Sequence, residues 1–190
     1  FFLYGLKSVS MDDLAKQAGI SKKTIYQFVS NKNELIEKVV EELVQCHKQA
    51  LKKSVKESEN AVEELFMQDT LPFSTIASVN IHFFHQLEKF FPAVWNTLLE
   101  HKQKIIRQAI IKNLQRGIDE GLYREDMNLQ FVADIRLQQI STALNPVDFA
   151  QRRVDAVKLM SDFTIFYLHG IVNSNGKRLL NKITKCNNEK

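Results

Sequence analysis

The 190-residue chain, 22.0 kDa, is long enough to bury a sizeable core and to form one or two domains. Hydrophobic residues at 44% and charged ones at 25% exclude disordered and collagen-like classes, and only 6 Gly and 3 Pro favour long helices over a many-turned sheet, so an all-α protein is expected. The formal charge of +4 is confined to residues 1–56, where ten Lys face six Asp or Glu; residues 57–190 hold sixteen charges of each sign.

Phe1-Phe2-Leu3-Tyr4-Gly5 reads as the last turn of an amphipathic helix closed by Gly5. Ser10 is a good N-cap, and Asp13, three residues on, can reach back to the Ser10 amide, so the next helix starts near Met11. Met11, Leu14, Ala15 and Ala18 fall at helical spacing, and Gly19 supplies the left-handed residue that ends the helix. Ser21 can cap a second helix, Lys22 to about Phe28, with Ile25 and Phe28 inward and Lys22, Lys23, Tyr26 and Gln27 outward. Ala15, Gly19 and Ile25 hold the places a helix-turn-helix needs, a close helix approach, a turn and an apolar plug, although the bare spacing suits an ordinary αα-corner as well.

The segment TIYQF followed by SNKNEL, Thr24 to Leu35, resembles the end of the recognition helix and the start of the fourth helix in the tetracycline-repressor (TetR) family of bacterial regulators. The resemblance covers Phe1 to about Val40 and the remainder only in layout. It implies an N-terminal helix-turn-helix DNA-binding domain, 1–46, and a larger helical effector-binding and dimerisation domain, 47–190. The family's first helix usually runs well upstream of a glycine such as Gly5, so that helix is expected to be incomplete here, its remainder disordered or removed. A charge surplus confined to this segment suits phosphate binding, the other reading being a solvated surface with chance clustering. On the outward face Lys23, Thr24 and Gln27 are assigned to bases, and Ser10, Lys22, Tyr26 and Lys32 to phosphates, Ser10 and Lys32 lying at helix N-termini.

A long helix from Lys32 to about Ser54, with Leu35, Val39, Leu43 and Ala50 or Leu51 as its stripe, would join the two domains. Further helices are expected at Ala61–Gln68, at Phe73 to about Phe90 after Pro72, and from Pro92 to Glu120 in one or two pieces, Pro92 suiting a first turn. Gly117 and Gly121 close this region, and GIDEGLYRED, Gly117 to Asp126, resembles the turn the family places between its seventh and eighth helices. Two long helices follow, Leu129 to about Leu144 capped by Asn128, and Val154 to about Asn173, separated by Pro146. The second is apolar over more of its circumference than a surface helix needs, which suits either a helix buried within a monomer or one shared with a partner. The resemblance implies the latter, a homodimer held by a four-helix bundle through Leu137, Ile140, Leu144, Leu159, Phe163, Phe166 and Gly170. A short helix, Lys177 to Ile183, and a frayed tail from Lys185 end the chain.

Phe66, Met67, Phe73, Phe83, Phe84, Phe90, Phe91 and Trp95 are first of all core, but rings in the middle of a helical domain can also line an apolar cavity. The family's pocket lies among these middle helices, which implies a small-molecule effector of apolar type near Phe66, Phe84, His85, Trp95, Gln139 and Phe163, with Gln86 and Asn96 as further polar neighbours. His82 and His85 lie three apart and read as satisfied or exposed histidines, and neither a GxSxG, a phosphate loop nor HExxH occurs, so no enzyme, metal or cofactor is expected. Cys46 and Cys186 have no metal or redox spacing and read as free thiols; with no apolar run of membrane-span length and no signal-peptide pattern, a cytoplasmic protein is expected. The function expected is a regulator, in the first instance a repressor, that binds a pseudo-palindromic double-stranded operator as a dimer and leaves it when a small molecule binds. The alternatives are a TetR-like co-activator acting through a protein partner, and a helical small-molecule-binding protein without DNA binding.

Overall fold

The computed structural model describes residues 1–2, 4–70, 81–144 and 156–188. These residues are all-α: α1 (Met11–Ala18), α2 (Lys22–Tyr26), α3 (Lys32–Glu57), α4 (Ala61–Thr70), α5 (Ile81–Phe90), α6 (Pro92–Glu100), a π-helical segment His101–Ile106, α7 (Arg107–Asp119), α8 (Leu129–Leu144), α9 (Ala156–Ile171) and α10 (Ser174–Asn188). Contacts divide the chain into two compact units, Phe1–His47 with Ser78–His101, and Lys48–Ala77 with Lys102–Lys190. The first unit thus joins α5 and α6 to the N-terminal helices, a grouping that a boundary at residues 46 and 47 does not include.

In the first unit the expected caps are present. Asp13 N–H donates to Ser10 Oγ at 3.1 Å while Ser10 N–H donates to Asp13 Oδ2 at 2.8 Å, and Gly19 ends α1 at φ 67°. Met11, Ala15, Ile25 and Val29 form one small core, flanked by Leu14 and Leu35. Ala18 is exposed and takes no part in it. Phe28 was expected inward and is 72% exposed. The cause is an early stop: α2 ends at Tyr26, the Phe28 and Val29 amides both turn back onto the Ile25 carbonyl, and Val29 takes the inner place.

A second core gathers Leu6, Ile36, Val40, Phe83, Leu87 and Val94, with Phe1, Phe2, Phe84, Phe91, Trp95 and Leu98 packed on it. The register of α3 differs from the expected stripe by one residue, since Ile36, Val40 and Val44 are buried while Leu35, Val39 and Leu43 are only half so. Both small cores claim this helix: Leu35 turns to Met11 and Ile25, whereas Ile36 and Val40 turn to Phe83. Gly5 closes a turn, its N–H donating to the Phe1 carbonyl at 2.7 Å with φ 82°, and Gln86 Oε1 on α5 accepts from the Leu6 and Lys7 amides at 2.6 and 3.1 Å. Pro92 starts α6 as expected.

The core of the second unit joins α4, α7, α8, α9 and α10 through Val62, Leu65, Ile110, Leu114, Ala133, Leu137, Leu168 and Leu180. Gly117 lies inside α7 and not at its end, and an added Cβ there would run into the Tyr123 ring. The turn itself uses Gly121 at φ 64°, and Tyr123 then pairs with Val172 in an isolated bridge. Tyr123 donates its hydroxyl to Asn113 Oδ1 at 3.2 Å, and Asn113 Nδ2 donates to the Ala61 carbonyl at 2.9 Å. Glu64, 2% exposed, is held by Arg116 at 2.8 Å, which also meets Glu120 at 2.6 Å. Asn128 caps α8 as expected, accepting from the Phe131 amide at 3.1 Å. The last helix is longer than the expected Lys177–Ile183 and carries the supposed tail to Asn188. Asn173 starts it early by accepting from the Asn175 and Gly176 amides, and Leu180 docks fully in the core. The expected residues Phe73, Pro146 and Val154 lie outside the described ones.

Candidate nucleic-acid interface

The outward face of α2 follows from its brevity. With Ile25 as the one inward side chain, Lys22, Lys23, Tyr26 and Gln27 all remain exposed. Exposed Lys23, Tyr26 and Gln27 are a set that supplies charge, a π-face and a bidentate amide. Lys22 is engaged, its Nζ lying 2.7 Å from Asp12 Oδ2, and this partner raises its pKa. Thr24 is half-buried and shares a 2.8 Å hydrogen bond with the capping Ser21 hydroxyl, so its side chain is tied to the start of α2. Ser10 donates its hydroxyl to Asp13 Oδ2 at 2.6 Å, and Asp13 is held below its ordinary pKa chiefly by these Ser10 hydrogen bonds.

Lys32 opens α3, where unpaired amides and the helix dipole favour an anion. It is half-buried with Nζ 5.8 Å from the centre of the Phe1 ring, and burial lowers its pKa. Glu34 accepts from the Ser30 amide at 2.6 Å and donates its own amide to Asn31 Oδ1 at 3.0 Å, which fixes the link between α2 and α3. Lys38 completes that link by donating to the Phe28 carbonyl at 2.8 Å. The i, i+4 spacing marks Lys38 as a partner of Glu34, 3.3 Å away, but not its bond to the Phe28 carbonyl, which depends on where α2 stops.

The six residues expected around an effector divide between the units. Phe84 and Trp95 pack on the Phe83 core of the first unit and His85 is exposed there; Phe66, Gln139 and Phe163 are half-buried in the second. Gln86 is committed to the Leu6 and Lys7 amides, and Asn96 is exposed. An open groove of about 140 Å³ in the first unit is lined by Glu37, Val40, Glu41, Ala93, Val94 and Thr97, none of them among the expected six.

Of the expected interface residues, Leu137 and Leu159 are buried within their own unit, Ile140 and Phe163 are half-buried, and Phe166 and Gly170 are exposed; the Leu144 side chain lies outside the described ones. Phe166 is 73% exposed, and Phe131 at 63% and Ile135 at 45%, four apart on α8, are bare as well. Sequence reasoning missed those two, although their i, i+4 spacing was there to find. It missed too a pair of imidazoles, that of half-buried His47 on α3 and that of buried His101 at the start of the π-helical segment, Nδ1 of the first lying 2.8 Å from Nε2 of the second. No described helix is long and apolar enough to cross a membrane.

Residues 1–39 match the family model for bacterial regulatory proteins of the tetR family. Two HTH-type transcriptional regulators of Bacillus subtilis (strain 168) are similar: YhgD, 27% identical over 125 residues, 64% of each chain, and YvaF, 34% identical over 94 residues, 48% of each. The matched stretch thus spans less than two thirds of either regulator's length. The fold resembles that of the transcriptional regulator FadR from Bacillus subtilis, solved with stearoyl-CoA, at TM-score 0.61 and 19% identity over 88% of this chain and 91% of that one.

Proposed function

We propose that this chain, whose N-terminal segment is of the tetR family of bacterial regulatory proteins, is a cytoplasmic DNA-binding transcriptional regulator that works as a homodimer and is released from a pseudo-palindromic operator by a small molecule. The observation that carries the reading is the capped pair α1 and α2, which leaves Lys23, Tyr26 and Gln27 bare on one face within the stretch that matches the family. A helix that short has one side against α1, so its other side is free to enter a major groove. Lys23 and Gln27 then read bases, with Thr24 beside them. Lys22, once Asp12 lets go, joins Tyr26, Ser10 and Lys32 on phosphates.

The bare Phe131, Ile135 and Phe166 support a second copy as partner, because a monomer seldom exposes so many large apolar side chains on two helices. The stearoyl-CoA bound to FadR supports an effector with a long apolar part.

A gel-shift with DNA from upstream of the chain's own gene tests the reading. Wild type is expected to retard a fragment with two half-sites about 34–36 Å apart. Lys32→Ala should weaken all sequences alike and reduce the salt slope by about one, whereas Gln27→Ala should relax specificity at one base pair at a cost of about 1–3 kcal/mol. Retardation no stronger than that of unrelated DNA would sink the proposal, and equal loss of specificity in both variants would defeat the assignment of roles.

A further inference from the structure

The segment just ahead of α1 is held by a side chain 80 positions away in sequence. Gln86 on α5 places one oxygen, Oε1, on the Leu6 amide at 2.6 Å and on the Lys7 amide at 3.1 Å, and neither amide has another acceptor among the described residues. A carbonyl oxygen has two lone pairs, so one Gln can serve both amides and fix the tilt of two successive peptide planes. The turn is shaped around that oxygen: Gly5 stands at φ 82°, and a Cβ added to it would lie 3.0 Å from Oε1. Other residues of α5, at helical spacing, hold the same segment. Phe83 meets the Phe2 ring edge-on with centroids 5.1 Å apart, Leu87 shares a core with Leu6, and the Lys7 ammonium lies 3.5 Å from the centre of the Phe90 ring.

What this segment carries is the helix pair. Between Lys7 and the Ser10 cap of α1 stand only Ser8 and buried Val9, too short a span to absorb a change of direction. The pair has a small core of its own, Met11, Ala15, Ile25 and Val29, and so depends on its attachments at both ends. After α2 the hold comes from α3, through Glu34 on the Ser30 amide at 2.6 Å and Lys38 on the Phe28 carbonyl at 2.8 Å. Ahead of α1 the polar hold is Gln86, and an apolar side chain in its place would leave the part-buried Leu6 amide without an acceptor.

We propose that Gln86 is a positioning residue for operator binding: through the Leu6 and Lys7 amides it sets the direction in which α1 starts, and hence the direction in which α2 is presented. The proposal rests on the DNA-binding regulator described above and deepens it by naming a residue outside the helix pair on which the aim of that pair depends. Reading of base edges demands side chains within hydrogen-bond distance, whereas attraction to phosphates tolerates a displacement, so a misdirected α2 loses preference before it loses charge. A residue that only stabilises the fold would instead lower binding to every DNA alike, in step with the folded fraction.

Gel-shifts with the upstream fragment and with unrelated DNA of equal length test this, circular dichroism recording the folded fraction of each sample. Gln86→Met, which keeps the reach of the side chain and removes its amide oxygen, is expected to weaken binding to the upstream fragment about tenfold and to unrelated DNA less than about twofold. Gln86→Glu, whose carboxylate accepts from the same two amides, should bring the first value back within about threefold of wild type. Gln86→Asn, with its oxygen drawn back by one methylene, carries the test if the methionine variant does not fold. A folded methionine or asparagine variant within about twofold of wild type on the upstream fragment, an equal loss on both DNAs, or a folded glutamate variant as weak as the methionine one would overturn the assignment. Two failures stay distinct: wild type with no preference for the upstream fragment removes the regulator and Gln86 with it, while a wild-type preference kept in full by folded Gln86→Met removes the positioning role alone.

Discussion

At the scale of single residues, Gly117 and His47 show how much depends on neighbours distant in sequence. Gly117 has no side chain because the Tyr123 ring occupies the place where a Cβ would stand. Gly117→Ala should therefore cost about 1–3 kcal/mol through overpacking, seen as a lower urea midpoint with unchanged helical dichroism in the folded state. His47 is lowered to about 4, first by burial and then by the facing His101. Its folded pKa lies below the unfolded value, so the neutral ring contributes stability in full above about pH 6.5, and that contribution is lost as pH falls toward about 4. The loss is at most on the order of 3 kcal/mol, and His47→Gln should remove this part of the pH dependence of urea unfolding. An unchanged slope in the variant would assign it elsewhere. Neither role was legible in the sequence. Gly117 read as a terminator, since a glycine near a turn usually is one, and a histidine on a helix shows nothing of a partner 54 positions away.

Among the elements, the ones that announce themselves are those whose signals are local. Ser10 with Asp13, Gly19, Pro92 and Asn128 fix helix ends through contacts with residues at most four positions off, and each was legible for that reason. The inner face of α3 was not, because two separate cores pull on one helix and the strongest apolar stripe is a compromise between them. The exposed face of α2 was legible apart from its ending; what was hidden is the pairing of Lys22 with Asp12 and of Lys38 with the Phe28 carbonyl, both set by how the chain turns. On α8 and α9 the bare side chains lead to a prediction of assembly. Phe166→Glu should yield monomers by analytical ultracentrifugation and abolish operator binding, since one α2 alone makes too few contacts, and its unfolding midpoint should lose the dependence on protein concentration that a dimer shows. Wild type sedimenting as a monomer at micromolar concentration would count against this use of the face.

For the whole molecule, the expected regulation reduces to α3, which begins in one compact unit and ends in the other. An effector can act on DNA only by preferring one arrangement of the two units over another, and linkage then makes the effect mutual. Saturating operator should weaken effector binding by the same factor with which effector weakens operator binding, typically about 5–150-fold. Calorimetry that finds effector affinity indifferent to operator would leave a DNA-binding protein without effector release. The partition of the aromatic residues makes such a molecule easy to watch. The chain has one tryptophan, Trp95, and it packs in the core shared by Leu6, Ile36 and Phe83, whereas the two buried tyrosines, Tyr123 and Tyr167, belong to the other unit. Indole emission, excited at the red edge where phenol does not absorb, is therefore a colour private to the first unit, and the near-ultraviolet dichroism of the tyrosines is weighted to the second. A melting curve recorded in both channels separates two events that a single helical signal would blend into one.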